Sequence, residues 1–155
     1  MSFWDWAVDV YGRDGVADIC LELQDAAGQN VPLILWAAWS GEVDPDRIEE
    51  AVEIARAWDE TAVGPLRAVR RALKPRRLDM DDGARESVRA QVKAVELFAE
   101  RALMTALGAV SSPSPAPGAP LTAMAAAAKA WNGQVPRDGL TRLAQRLSAN
   151  GSNAI

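Results

Sequence analysis

Arg67, Arg70, Arg71 and Lys74 recur at i, i+3, i+4 and i+7 in the stretch LRAVRRALKPRRL, and Arg76 and Arg77 follow. That spacing gathers four cations on one face of a helix. Guanidinium groups gathered in this way can hold carboxylates or phosphates through paired N–H donors. No acid interrupts residues 61–77, whereas residues 42–60 carry eight acids against two bases. Cations near a helix C-terminus also complement its dipole and pair with neighbouring acids. The run therefore has a structural reading and a functional one, a docking face for an anionic partner such as an acidic protein. No aromatic residue interleaves it, so it lacks the stacking platform that single-stranded nucleic acid uses.

The carboxylates offer less. Glu49, Glu50 and Glu53 fall on an outward helical face, and Glu96 and Glu100 lie one turn apart. Metal sites in helical bundles usually add Glu-x-x-His pairs, and this chain has no histidine. The same lack removes the commonest general base and triad member. Cys20 is the single cysteine and sits in an apolar helical pattern, which predicts a buried and inert thiol. There is no glycine-rich phosphate loop, no GxSxG and no dinucleotide fingerprint. The expected inventory holds no catalytic residue, no metal and no cofactor.

Six tryptophans stand beside two phenylalanines and one tyrosine. Trp36 and Trp39 share a face at i, i+3 in VPLILWAAWSG, and Trp4 lies in the first helix. A buried packing pair is the favoured reading. The alternative is an apolar ligand pocket lined by Trp4, Trp36 and Trp39, although a cage would want more aromatics.

The elements that must position these residues are helical. Ser2 with Asp5 starts a first helix to Tyr11, with Phe3, Ala7 and Val10 inward and Trp4 and Trp6 on the margins. A second helix spans about residues 14–27 and stops at Gly28. Asn30 caps a third, apolar all round before Ser40 and therefore central, with a short buried strand as the lesser alternative. Asp44–Pro45 opens a fourth to about Glu60. Gly64–Pro65 breaks it, and a fifth covers about residues 65–74. The longest helix runs over about 82–110, with Val88, Val92, Val95, Ala99, Ala102 and Ala106 as its inward seam.

SSPSPAPGAP at 111–120 reads as an extended linker. It divides a core domain of residues 1–110 from an accessory helical hairpin of residues 121–150 with a leucine stripe, and residues 151–155 as a frayed tail. The fold class is all-α: a compact multi-helix bundle around a central apolar helix, with a tethered C-terminal hairpin.

Three blocks taken together, FWDWAVDVY, LQDAAGQNVPLILWAAW and W…PLRAVRRALK, resemble a proteobacterial family of short Trp-rich proteins known only as domain-of-unknown-function family 2390. The resemblance covers about residues 2–107, with Pro32 standing where the family usually shows Asn. It implies a helical, soluble bacterial protein and no established activity.

The net charge of −4 argues against bulk nucleic-acid binding. The apolar run from Val31 to Trp39 is far short of a bilayer span, and no signal-peptide pattern opens the chain. The reading is a cytoplasmic, non-enzymatic interaction or adaptor protein that docks an anionic partner on Arg67, Arg70, Arg71, Lys74, Arg76 and Arg77. A Trp-lined ligand-binding bundle is the alternative, and an enzyme using Arg and carboxylates comes third. The hairpin either rests on the body or reaches a second chain, which leaves homo-oligomerisation through it open.

Overall fold

The computed structural model describes residues 1–113 and 119–148. Its elements are α1 (Phe3–Tyr11), α2 (Val16–Asp25), α3 (Val31–Ser40), α4 (Pro45–Trp58), a π-helical turn (Asp59–Val63), α5 (Gly64–Ala72), α6 (Asp82–Gly108), α7 (Ala119–Asn132) and α8 (Arg137–Ser148). The all-α class is as expected, and no helix among the described residues is long and apolar enough to cross a membrane.

The helix starts follow the sequence closely, because capping is local. The Ser2 hydroxyl accepts the Asp5 N–H at 3.1 Å while the Asp5 carboxylate reaches back to the Ser2 N–H, closing a capping box. The Asn30 side chain accepts the Leu33 N–H at 3.0 Å, and Asp44 accepts the N–H groups of Asp46 and Arg47. Gly28 ends the second helical segment in the left-handed region at φ 63°, where a side chain would be strained.

α3 is the centre. Every residue from Leu33 to Ala38 is buried, in keeping with a helix that has no polar face. Trp36 is fully buried, and Trp39 packs its ring 5.3 Å from that of Phe3 on α1. Phe3, Ala7 and Val10 turn inward and Trp4 and Trp6 sit half-buried at the margins, as their places on the helical wheel predict. Cys20 is buried between these helices, and burial pushes its thiol up to about 12.

Three expectations need correction. First, Gly64–Pro65 does not break the chain's helical course. The backbone continues from α4 into α5 through the π turn, where the Gly64 N–H donates to the Asp59 carbonyl. The turn inserts a residue just where proline lacks an N–H, so the helix re-registers instead of ending. A Cβ on Gly64 would stand 2.6 Å from the Asp59 carbonyl oxygen. Gly64→Ala should therefore cost about 1–3 kcal/mol by forcing backbone apart. An unchanged denaturation midpoint would show that the π turn yields freely.

Second, the inward seam of α6 is rotated. Arg85, Glu96, Ala99, Leu103, Met104 and Leu107 are buried, while Val88 and Val95 are exposed. Of the expected seam, Ala99 is buried and Val92, Ala102 and Ala106 are half-buried, while Arg85 and Glu96 take inward places that Val88 and Val95 were expected to fill.

Third, the C-terminal hairpin is not accessory. Ala123, Met124, Ala127, Ala128, Leu140 and Leu143 are fully buried in the same core as α1 to α4. The alanines let α7 lie close along α3, and α8 packs on α2, where Gly139 meets Leu23. Polar ties seal the joint: Trp131 Nε1 donates to the Gly28 carbonyl at 2.9 Å, and Arg142 pairs with Glu22 at 2.7 Å. A core confined to residues 1–110 thus omits part of its own packing. Leu140 and Leu143 of the leucine stripe are buried in cis, one of the two dockings that the sequence left open. Residues 114–118 of the linker and the tail from residue 149 lie outside the described residues.

Arginines from neighbouring elements close the helix ends. Arg47 Nη1 donates to the Val110 carbonyl at 2.7 Å, just past α6, which has no basic residue in its last turn. The buried Arg85 donates to the carbonyls of Leu73 and Lys74, at 2.6 and 3.0 Å, and so caps α5.

Candidate functional site

The basic stripe of α5 faces α6, and the two acids one turn apart on α6 face it in return. Arg67 Nε lies 3.4 Å from Glu96 Oε1, and its Nη2 lies 3.3 Å from Glu100 Oε1. Arg70 donates through Nε and Nη2 to both oxygens of Glu96. The Glu96 side chain is only 8% exposed, so it carries its charge out of water because two guanidiniums compensate it. Burial pushes the Glu100 carboxyl up from its ordinary value, with the Arg67 charge pulling the other way. The hydrogen bond to Glu96 holds Arg70 in its charged form more firmly still.

The remaining cations of the run are elsewhere. Arg71 is exposed and lies 3.3 Å from Asp25 on α2. Arg77 pairs with Asp79 at 2.9 Å, and Arg76 lies 3.8 Å from Asp82. Lys74 is exposed and has no ion pair among the described residues. The structure thus splits the six-residue basic face. Arg67 and Arg70 tie α5 to α6, Arg71 reaches α2, and Arg76 and Arg77 pair locally around the α5–α6 turn. Most of the charge that would attract an anionic partner is already met within the chain.

The ion-pair cluster forms the floor of a groove of about 640 Å³. Arg67, Arg70, Glu96 and Glu100 lie along it, and Trp4, Val8, Tyr11, Leu21, Leu35 and Leu97 supply apolar walls from α1, α2, α3 and α6. Val8, Tyr11, Leu21 and Leu97 are each about half-exposed although they line a concavity. Arg101 lies over the Trp4 ring at 5.3 Å and holds it in place. A second cavity of about 650 Å³ adjoins the first and shares Arg67 with it. Its walls are more polar and include Gln29, Asp59, Arg71, Lys74 and Trp131.

Of the three tryptophans in the alternative ligand-pocket reading, only Trp4 lines either of these two cavities. Trp36 is sealed in the core, and Trp39 is taken up by Phe3. The groove residues that sequence reasoning passed over are Val8, Tyr11, Leu21 and Leu97. Their signal was available, since each is apolar yet falls off the buried arc of its helix. Scattered exposed apolar residues are ordinary, however, and only the fold shows these four together.

Among the described residues no group of histidine, cysteine and acidic side chains is arranged to hold a metal ion. Residues 2–107 match the family described as a protein of unknown function (DUF2390). No curated protein and no solved structure matches the chain.

Proposed function

Since this chain belongs to the DUF2390 family, whose match runs from α1 to the last turn of α6 and takes in the whole groove, we propose that it is a protein-interaction module that docks an apolar segment of a partner in that groove. The observation that supports this reading is the gathering of Val8, Tyr11, Leu21 and Leu97, half-exposed, around one concavity. Contiguous apolar surface of this kind costs solubility and usually marks a binding site. Its size suits the anchors of a short helix, which present apolar side chains at i, i+3 and i+4. The open rim, with walls from four helices, favours a protein segment over an enclosed small molecule. Arg67 and Arg70 then act from below. Held by Glu96 and Glu100, they keep the groove floor rigid, while the exposed Lys93 also lines the groove. The basic face becomes a support for the site instead of the site itself.

Leu97→Glu and Leu21→Glu each place a charge on the groove wall without touching the core. Both variants should keep the wild-type melting temperature, since exposed positions move stability by no more than about 0.5 kcal/mol. Affinity capture from the source cell, quantified by mass spectrometry, should then lose the same set of proteins with both. Identical capture by wild type and variants would discard the groove reading.

A further inference from the structure

α6 turns four of its eight charges inward: Arg85 and Glu96 are buried and Arg89 and Glu100 half-buried, while Asp82, Glu86, Lys93 and Arg101 are exposed. The outward arc, about 120° wide on the helical wheel, carries no charge at all from Ala84 to Thr105. Val88, Gln91, Ala94, Val95 and Phe98 lie on it, all exposed, with Val88 at 50%, Val95 at 53% and Phe98 at 76%. Arg101, the nearest charge in angle, extends instead over Trp4. A surface helix normally does the opposite and presents its charges to water. The arc lies on the far flank of α6 from the groove wall at Leu97, so it is a separate surface. Val69, on the flank of α5 away from Arg67 and Arg71, is also exposed.

We infer that this face of α6 is the interface of a two-fold dimer, covered by α6 of a second copy running antiparallel. The first argument is charge. The chain carries a net charge of −4, yet this face has no charge to repel its own image and none with which to select a charged partner. The second is spacing. Val88, Gln91, Val95, Phe98, Ala102 and Thr105 recur at the alternating three-four interval of a helix-pairing seam, and all but the half-buried Ala102 are exposed. The third is self-complementarity. With the two-fold axis between residues 96 and 97, Val95 meets Phe98 of the second copy, Gln91 meets Ala102, and Val88 meets Thr105. The central pair is apolar on both sides, and Gln91 falls opposite the small Ala102, so the seam buries no charge. The fourth is area. The arc is about 32 Å long at 1.5 Å per residue, and two such faces cover on the order of 1,000 Å², the lower limit for a biological interface.

Light scattering on the full chain during size exclusion tests this. At tens of micromolar the wild type should elute at twice the 16.6 kDa chain mass. Phe98→Arg should elute at the monomer mass with unchanged circular dichroism, its dissociation constant raised at least about thirtyfold, the effect of a central anchor. Val95→Arg serves as the second variant on the same face if the first fails to fold. In an equimolar mixture of Val95→Cys and Phe98→Cys, mild oxidation should join one variant to the other, with the buried Cys20 silent. A monomeric wild type, or a dimer that both arginine variants leave intact, overturns the proposal. Failure to form the mixed disulfide in a dimer that both arginines disrupt overturns the antiparallel register.

Discussion

Truncation after Val110 leaves a chain that no longer melts cooperatively. Removing α7 and α8 deletes Met124, Leu140 and Leu143, each fully buried. Burying side chains of that size contributes roughly 1.5–3 kcal/mol apiece. The surfaces of α3 and α2 that they cover are exposed at the same time. Together these losses match the whole stability of an ordinary domain, about 5–15 kcal/mol. The truncation also uncovers the Gly28 carbonyl and strips Gln29 of its partner Asn132. Thermal unfolding followed by near-ultraviolet circular dichroism should show no sharp transition, and sizing should show expansion or aggregation. A truncated chain that melted cooperatively within a few degrees of the full one would restore the boundary at Val110. The family match stops at residue 107, but the packing does not.

Trp36→Ala is expected to cost roughly 3–5 kcal/mol, the range for emptying an aromatic site in a close-packed core. Trp36 is the largest fully buried side chain, at the middle of a helix that is itself surrounded. Backbone on either side of it is helical and cannot collapse far into the void. Trp36→Phe should behave very differently. The Trp36 indole Nε1 has no hydrogen-bond partner among the described residues, so its burial carries a desolvation cost of about 1–3 kcal/mol. Phenylalanine loses some volume but removes that donor, and the two effects oppose each other. Chemical denaturation of the pair should separate them clearly, with the alanine variant far below the phenylalanine one. Equal midpoints for both would mean that the site relaxes around any loss, and that the centre of the bundle is softer than its burial implies.

What the amino-acid sequence determined by itself is whatever depends on neighbours a few residues apart. Ser2, Asn30 and Asp44 each satisfy N–H groups two or three positions on, so the helix starts could be read directly. The inward face of α1 followed from its period alone, and the central place of α3 followed from having no polar face to offer water. Only the tertiary structure decided which side of α6 faces in. Its valine seam and its charged stripe both have helical spacing, and nothing local ranks them. The choice rests on Arg67 and Arg70, which stand 26 to 33 residues before their partners Glu96 and Glu100. Those pairs hold the stripe inward and turn Val88, Val95 and Phe98 to the outside. The place of α7 and α8 was hidden for a similar reason. An alanine-rich helix shows weak burial signal of its own, and its value lies in how closely it lets α3 approach, a property of two surfaces and of neither alone. The groove belongs to the same class: four apolar residues on three helices became one wall only when the bundle closed.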